Sequence, residues 1–261
     1  MALPALYISH GSPRLMIEES ASRDFLMGYA KTRPKPRAIV IASAHFCTGR
    51  PAVLGDAQPA MIYDFGGMPA LRKLVYPAPG DPHMAVKVAG LWQASGFAPA
   101  VVTGYGYDHG TWVPLMLLYP GADIPVVVIS VQPELGPAHH IALGKALASL
   151  RDEDILVIGS GSMTHNLHEF YSSELPPDAA AKPWVADFAE WVHDRIETGA
   201  TDDLVNYRTL APHAVDNHPT DEHFLPLFIA IGAGGNGSAK GRRIHTSARS
   251  GVISMDTYEF G

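Results

Sequence analysis

The sequence predicts an α/β fold: a three-layer single domain in which a central mixed, largely parallel sheet lies between helices. Three observations carry that expectation. Continuous apolar runs, Ala38–Ala44 and Ile124–Val131 foremost, suit strands covered on both faces. Those runs alternate with segments of helical spacing, the pattern of βαβ units. The chain has 261 residues and shows no internal repeat, low-complexity tract or linker, so it reads as one domain over 1–261.

Taken in order, Ala2–Ser9 is a short apolar strand that breaks at Gly-Ser-Pro. Glu18–Lys31 has helical spacing, and Pro34 and Pro36 separate it from the strand Ala38–Ala44. Ala52–Leu54 and Ala60–Tyr63 read as shorter strands, and Asp64–Pro69 as a loop. Asp81–Ser95 is a helix opening near Pro82, followed by a strand at Pro99–Thr103 and a Gly/Tyr/Asp loop at Gly104–Gly110. Trp112–Leu118 reads as a helical turn or two. Ile124–Val131 is the strongest strand signal, and Pro137–Leu150 a helix with Pro in its first turn. Asp154–Gly159 is a buried strand entering a Gly-Ser-Gly turn. Ala179–Glu197 is a long amphipathic helix with Trp184, Phe188, Trp191 and Val192 on one stripe, which reads as core. Asp221–Ile231 is a further helix, with Thr220 or Asp221 as N-cap and His223 in its first turn. Gly232–Gly241 reads as exposed or mobile. Arg242–Thr246 and Val252–Asp256, joined through Ala248–Gly251, predict a terminal hairpin.

Hydrophobic residues make up 47% and charged residues 17%, the balance of a compact globule with a large core. The net charge of −7 and the absence of a Lys/Arg cluster argue against a nucleic-acid surface. One cysteine, Cys47, excludes an internal disulfide framework and fits a reducing compartment. No signal-peptide pattern opens the chain, and no apolar run approaches the length of about 18 residues that a membrane helix needs. The expected location is therefore the cytoplasm. No feature of the sequence sets an oligomeric state.

Thirteen histidines are present. His83, His139, His140, His193 and His245 stand in polar or helix-like contexts and read as ordinary. Four others do not: His10 in Ser9-His10-Gly11-Ser12-Pro13, His45 in Ser43-Ala44-His45, His165 after Gly159-Ser160-Gly161, and His223 in His218-Pro219-Thr220-Asp221-Glu222-His223. Ligands in open α/β sheets sit beyond the carboxyl ends of the strands. His10 and His45 follow the first two strong strands at similar offsets. If those strands are adjacent and parallel, both imidazoles reach one crevice. Imidazole is the commonest protein ligand for zinc and iron, so a metal site is the working hypothesis. A helix N-terminus would keep the His223 ring neutral, as ligation requires. Glu222 is an alternative ligand or an acceptor beside the metal. His218 is a candidate substrate contact or local cap.

Asp108-His109 in a Gly-flanked loop is either a plain turn or an acid/base near the site. Gly159-Ser160-Gly161-Ser162 lacks the spacing of a nucleophile elbow, and no basic residue follows as in a phosphate loop. Cys47 reads as a small buried apolar residue rather than a nucleophile.

These segments together resemble a known family. They are Ser9–Pro13, Ser43-Ala44-His45, Tyr63–Pro69 (Tyr-Asp-Phe-Gly-Gly-Met-Pro), Asp108–Trp112, Gly159–Gly161 with His165-Asn166-Leu167, and His218–Thr220 with Glu222–Leu227. Their order and residues are similar to the class III extradiol ring-cleavage dioxygenases, nearest the 4,5-DOPA extradiol branch. The resemblance implies a non-haem Fe(II) enzyme that opens a catechol ring beside its hydroxyls with both atoms of O2, yielding a semialdehyde. It implies metal ligation by His10, His45 and His223, with His165 a further ligand or the acid/base, and His109 a second candidate for proton transfer. Zn(II) is also found in such sites. In the protocatechuate-cleaving relatives a glutamate completes the ligand set, and a histidine stands in its place here. For substrate contacts, Tyr63, Phe65, Tyr105, Tyr107 and Trp112 are candidates for an aromatic pocket, and Arg242, Arg243 or His218 for a substrate carboxylate. Two other readings compete. A zinc hydrolase would use the same histidines, and a non-catalytic relative would be expected to lose some of them.

Overall fold

The computed structural model describes residues 2–235 and 238–261. Its strands are β1 (Ala5–Ser9), β2 (Ala38–Cys47), β3 (Ala52–Leu54), β4 (Ala100–Val102), β5 (Val126–Val131), β6 (Ile155–Gly161), β7 (Gly241–His245), β8 (Ala248–Arg249), β9 (Ile253–Ser254) and β10 (Thr257–Phe260). Eight of them form one sheet in the order β4-β3-β5-β2-β6-β1-β10-β7. The centre, β5-β2-β6-β1, is parallel, and antiparallel pairs flank it at β3–β5, β1–β10 and β10–β7. The mixed, largely parallel sheet is therefore as expected.

The central strands are apolar throughout because both faces are covered. Alternate side chains feed two cores. Tyr7, Val40, Ala42, Val127, Ile129 and Val157 pack on one face with the helices α2 (Pro82–Ala94), α4 (Gly136–Ala146), α6 (Pro183–Thr198) and α10 (Leu225–Gly234). Leu6, Ile8, Ile39, Ile41, Val128 and Ile158 pack on the other with α1 (Ala21–Tyr29) and α3 (His109–Leu118). The remaining helices are short: α5 (Leu167–Ser172), α7 (Thr201–Val205), α8 (Tyr207–Leu210) and α9 (Ala214–Asn217). On α6, Phe188 and Val192 are buried as the stripe predicted, while Trp184 and Trp191 are only half-buried.

Local chemistry explains the helix starts. Asp81 accepts from Met84 N at 2.9 Å, and Asp108 accepts from Thr111 N at 3.0 Å, each capping its helix. The Asp108 cap places His109 at the first helical position rather than in a loop.

Four expectations fail. Met61 makes one isolated bridge to Tyr107 instead of a strand at Ala60–Tyr63. The terminal hairpin is different: β7 pairs with β10, while β8 and β9 form a small sheet of their own. Ser250 and Gly251, at φ 48° and 68°, form the tight turn between β8 and β9. The last helix begins at Leu225, after His223, and neither Thr220 nor Asp221 caps it. Asp221 instead accepts from Tyr207 Oη at 2.8 Å. Finally, Gly232–Gly234 are buried helix rather than exposed loop. A Cβ on Gly232 would stand 2.2 Å from Ile141 O, so the two helices cross at backbone contact. Within the predicted Gly-rich stretch, residues 236–237 lie outside the described residues.

Candidate metal centre

The site sits at the carboxyl ends of the central strands. His10 follows β1, His45 lies near the end of β2, and His165 follows β6. β1 and β2 are not adjacent: β6 runs between them, parallel to both. The two imidazoles still meet. β2 shifts register against β5 between Ala42 and Cys47, and such an irregularity re-aims the side chains it carries. His45 Nε2 lies 3.2 Å from His10 Nε2.

The ring tautomers follow from the hydrogen-bond network. Ser160 in β6 gives its one hydroxyl proton to Gly110 O at 2.5 Å. It therefore accepts from His10 Nδ1, 3.0 Å away. The Asp64 carboxylate accepts from His109 Nδ1 at 2.8 Å and lies 3.3 Å from His45 Nδ1. Glu222 Oε1 accepts from His223 Nδ1 at 3.0 Å and from Thr220 Oγ1 at 3.0 Å. The rings of His10, His109 and His223 thus carry their proton on Nδ1 and present an Nε2 lone pair.

The His10 and His45 Nε2 atoms face each other, and the buried Nε2 of His223 has no hydrogen-bond partner among the described residues. The His223 ring centroid is 4.9 Å from that of His45 and 5.5 Å from that of His10. Buried acceptors without donors are costly, and a cation would satisfy them together. The donor set therefore fits a metal ion. His10, His45 and His109 form one group with ligand atoms within 4.8 Å of one another, and His165, Glu222 and His223 a second. His109 joins the cluster as closely as His223 does, its ring centroid 4.1 Å from that of His45.

Electrostatics favour neutral rings. Burial, then the neighbouring imidazoles, holds His10 and His223 well below the ordinary histidine range. Burial, then His109, lowers His45. His165 is held at about 3 by burial and then His218, and its ring stacks on His223 at a centroid distance of 3.4 Å. Burial alone would raise Asp64, but its hydrogen bond from His109 and the two imidazoles hold it low. The neutrality of His223 thus comes from burial rather than from a helix dipole.

The cavity has a volume of about 440 Å³, and all five of these histidines line it. Of the five aromatic candidates only Phe65 lines it. Tyr107 and Trp112 are buried in the core, Tyr63 bonds Leu74 O at 2.8 Å, and Tyr105 stacks on Phe46 and bonds Asp108 at 2.9 Å. Asp108 itself is occupied by Ser43, Tyr105 and its own helix, so it is structural. His218 is fully buried against Phe188 and Phe224, with Nε2 on Met163 O at 2.9 Å, and cannot reach a substrate. Arg242 pairs with Glu259, and Arg243 with Glu190 and Asp256, all outside the cavity. Cys47 is exposed rather than buried, because β2 carries it past the core, and its thiol is pushed up to about 11. Few thiolates form there at neutral pH, which argues against a nucleophile.

Sequence reading missed Asp64, Ser160 and Arg249. Asp64 and Ser160 stand in the quoted motifs but carry no spacing signal. Arg249 lies far along the chain from every motif and reaches the cavity only through the β8–β9 turn.

The buried histidines predict acid lability. His140, away from the site, donates from Nδ1 to Gly136 O and accepts at Nε2 from Gln132 N. Burial lowers it to about 4. Above pH of about 6.5 the ring is neutral folded or unfolded, and stability is full. As pH falls toward 4 the unfolded chain takes up the proton first, so stability falls, by about 3 kcal/mol for this ring alone. His10, His165, His218 and His223 act in the same direction. Urea midpoints of metal-free protein should drop steeply between pH of about 6.5 and 4.5. A flat profile there would contradict neutral buried rings.

Comparison with known proteins agrees with this geometry. The family described as the catalytic LigB subunit of aromatic ring-opening dioxygenase matches residues 4–258. A 4,5-DOPA dioxygenase extradiol of Beta vulgaris is 43% identical over 97% of this chain and 95% of its own length. One from Escherichia coli K12 is 38% identical over 88% of this chain and 85% of its own. A crystal structure of an Escherichia coli K12 protein described as uncharacterized superposes with a TM-score of 0.82 at 31% identity, covering 99% of this chain and 100% of that one. No helix among the described residues is long and apolar enough to cross a membrane.

Proposed function

The chain belongs to the family of the catalytic LigB subunit of aromatic ring-opening dioxygenases and is an extradiol ring-cleavage dioxygenase, and from that premise we propose that it is an Fe(II) enzyme opening a DOPA-like catechol to a semialdehyde. The observation that carries the metal is the convergence of three imidazoles, with the His10 and His45 Nε2 atoms 3.2 Å apart and the buried His223 Nε2 without a hydrogen-bond partner among the described residues. These three would hold the ion. With three protein ligands, a bound ion would keep room for substrate. Bound Fe(II) would supply Lewis acidity toward the catechol hydroxyls and electrons toward O2. The family's ring-opening chemistry displaces the hydrolase reading.

The protein's own groups do the rest. Ser160 and Glu222 fix the tautomers of His10 and His223, so each ring offers a lone pair without reorganising. His165 lines the cavity with a neutral ring and no side-chain hydrogen bond among the described residues. It is placed to accept a catechol proton, and an arriving catecholate raises its basicity. His109, backed by Asp64, is the second group able to hold or return a proton during ring opening.

The test is to strip the metal, reconstitute anaerobically with Fe(II) or Zn(II), add DOPA, caffeate, protocatechuate and catechol, and admit oxygen. A yellow semialdehyde with stoichiometric O2 uptake, only with iron, is expected. No uptake with verified iron in the site would overturn the reading. His165→Ala should keep its metal and lose about 100-fold or more in turnover. Loss of metal in that variant would make His165 a ligand instead.

A further inference from the structure

Arg14, just after His10, and Arg249, on β8, both line the cavity that holds the five histidines. Only 13% of the Arg249 side chain is exposed. Both guanidinium groups pair with one carboxylate, Glu18, which Arg14 meets at 3.0 Å and Arg249 also contacts. Burial and then the like charge of Arg14 pull the Arg249 guanidinium below its ordinary value. The third charged group of the wall, Asp64, is hydrogen-bonded by His109. Arg14 and Arg249 thus share the single carboxylate of Glu18, beside an apolar lining of Phe65, Phe170, Ile253 and Met255. A guanidinium has five donors in a planar fork, and a single carboxylate contact leaves most of them free.

We propose that Arg249 is the anion anchor of this cavity, and that the preferred catechols carry a carboxylate on the ring's side chain. This deepens the ring-opening reading and rests on it. The apolar lining takes the ring while Arg249 takes the carboxylate bidentately, an arrangement that offsets the desolvation of both charges. Glu18 acts as the internal competitor, occupying the anchor when no substrate anion is present. Discrimination therefore depends on the balance between Glu18 and the substrate's own carboxylate.

Two measurements separate this proposal from the reading beneath it. The first is calorimetric binding of 3-phenylpropionate and of its neutral analogue 3-phenylpropan-1-ol, neither of which can turn over. Purified protein should prefer the carboxylate by about tenfold or more. Arg249→Met should erase the preference, and Arg249→Lys should retain only part of it, because an ammonium is a point charge without the fork. Glu18→Gln should move the other way and strengthen carboxylate binding. The second is turnover on 3-(3,4-dihydroxyphenyl)propionate and on 4-ethylcatechol: Arg249→Met should lower the ratio of their kcat/KM values by about tenfold or more. No carboxylate preference in the unmodified protein, or an unchanged preference in Arg249→Met or Glu18→Gln, would overturn the anchor. A carboxylate preference in an iron-loaded protein that opens no catechol would leave the anchor standing and overturn the ring-opening reading.

Discussion

His10→Ala is expected to lose metal and ring-opening activity together. Its Nε2 faces His45 Nε2 at 3.2 Å, and its Nδ1 is committed to Ser160. Alanine offers no donor, and the ring is 2% exposed, so no surface group can swing in to replace it. Loss of a hydrogen-bonding partner behind a ligand costs about 10–100-fold in metal affinity or activity. Removal of the ligand itself should exceed that range. Asp64→Ala supplies the comparison, because it removes the acceptor behind His109 and the carboxylate beside His45 but no proposed ligand. Its loss should fall within about 10–100-fold. Metal content after dialysis, read with O2 uptake on a catechol, decides the matter. Full metal stoichiometry in His10→Ala would remove that residue from the ligand set.

Gly161→Ala is expected to damage both the fold and the site. Gly161 ends β6, and its carbonyl accepts from His10 N at 2.9 Å. A Cβ there would stand 2.1 Å from His223 O and 3.2 Å from Pro226 Cγ. The obstacle is backbone, so the whole segment before α10 must move. Overpacking of this kind costs about 1–3 kcal/mol and sometimes more. The displacement falls on the backbones of two proposed ligands at once, so metal affinity should fall with stability. Gly144→Ala provides the contrast. Its Cβ would meet Ile229 O at 2.2 Å, inside α10 and away from the segment before it that holds His223. It should destabilise by a similar amount, less the helix propensity that alanine gains of about 1 kcal/mol, and leave metal affinity intact. Denaturant unfolding gives the first quantity and metal titration the second. Equal metal affinities in the two variants would dissociate Gly161 from the site.

Particular residues show where legibility stopped. β5, β2 and β6 could be read from composition, since strands covered on both faces must be apolar at every position. The short edge elements could not. Ala60–Tyr63 is largely apolar like β3, but only Met61 pairs, through one isolated bridge to Tyr107. The start of α10 was misplaced because Thr220 and Asp221 have the chemistry of a cap, yet Tyr207 and Glu222 take up their side chains. Phe65 and Trp112 carry the same aromatic signal in sequence. One lines the cavity and the other is core, and only packing separates them.

The chain's composition and motifs were enough to assign a layered α/β fold, four unusual histidines and a family. All of these depend on residue type and short-range order, which the sequence displays directly. Which atoms face the metal site depended on contacts between segments far apart in the chain. Ser160 stands 150 residues from His10, and its single proton decides which nitrogen of that ring is free. Asp64 ties His45 to His109, and Arg249 reaches the cavity through a turn that pairing alone could place. A hydrogen bond or an ion pair is set by distance and direction in space, and neither is encoded by spacing along the chain.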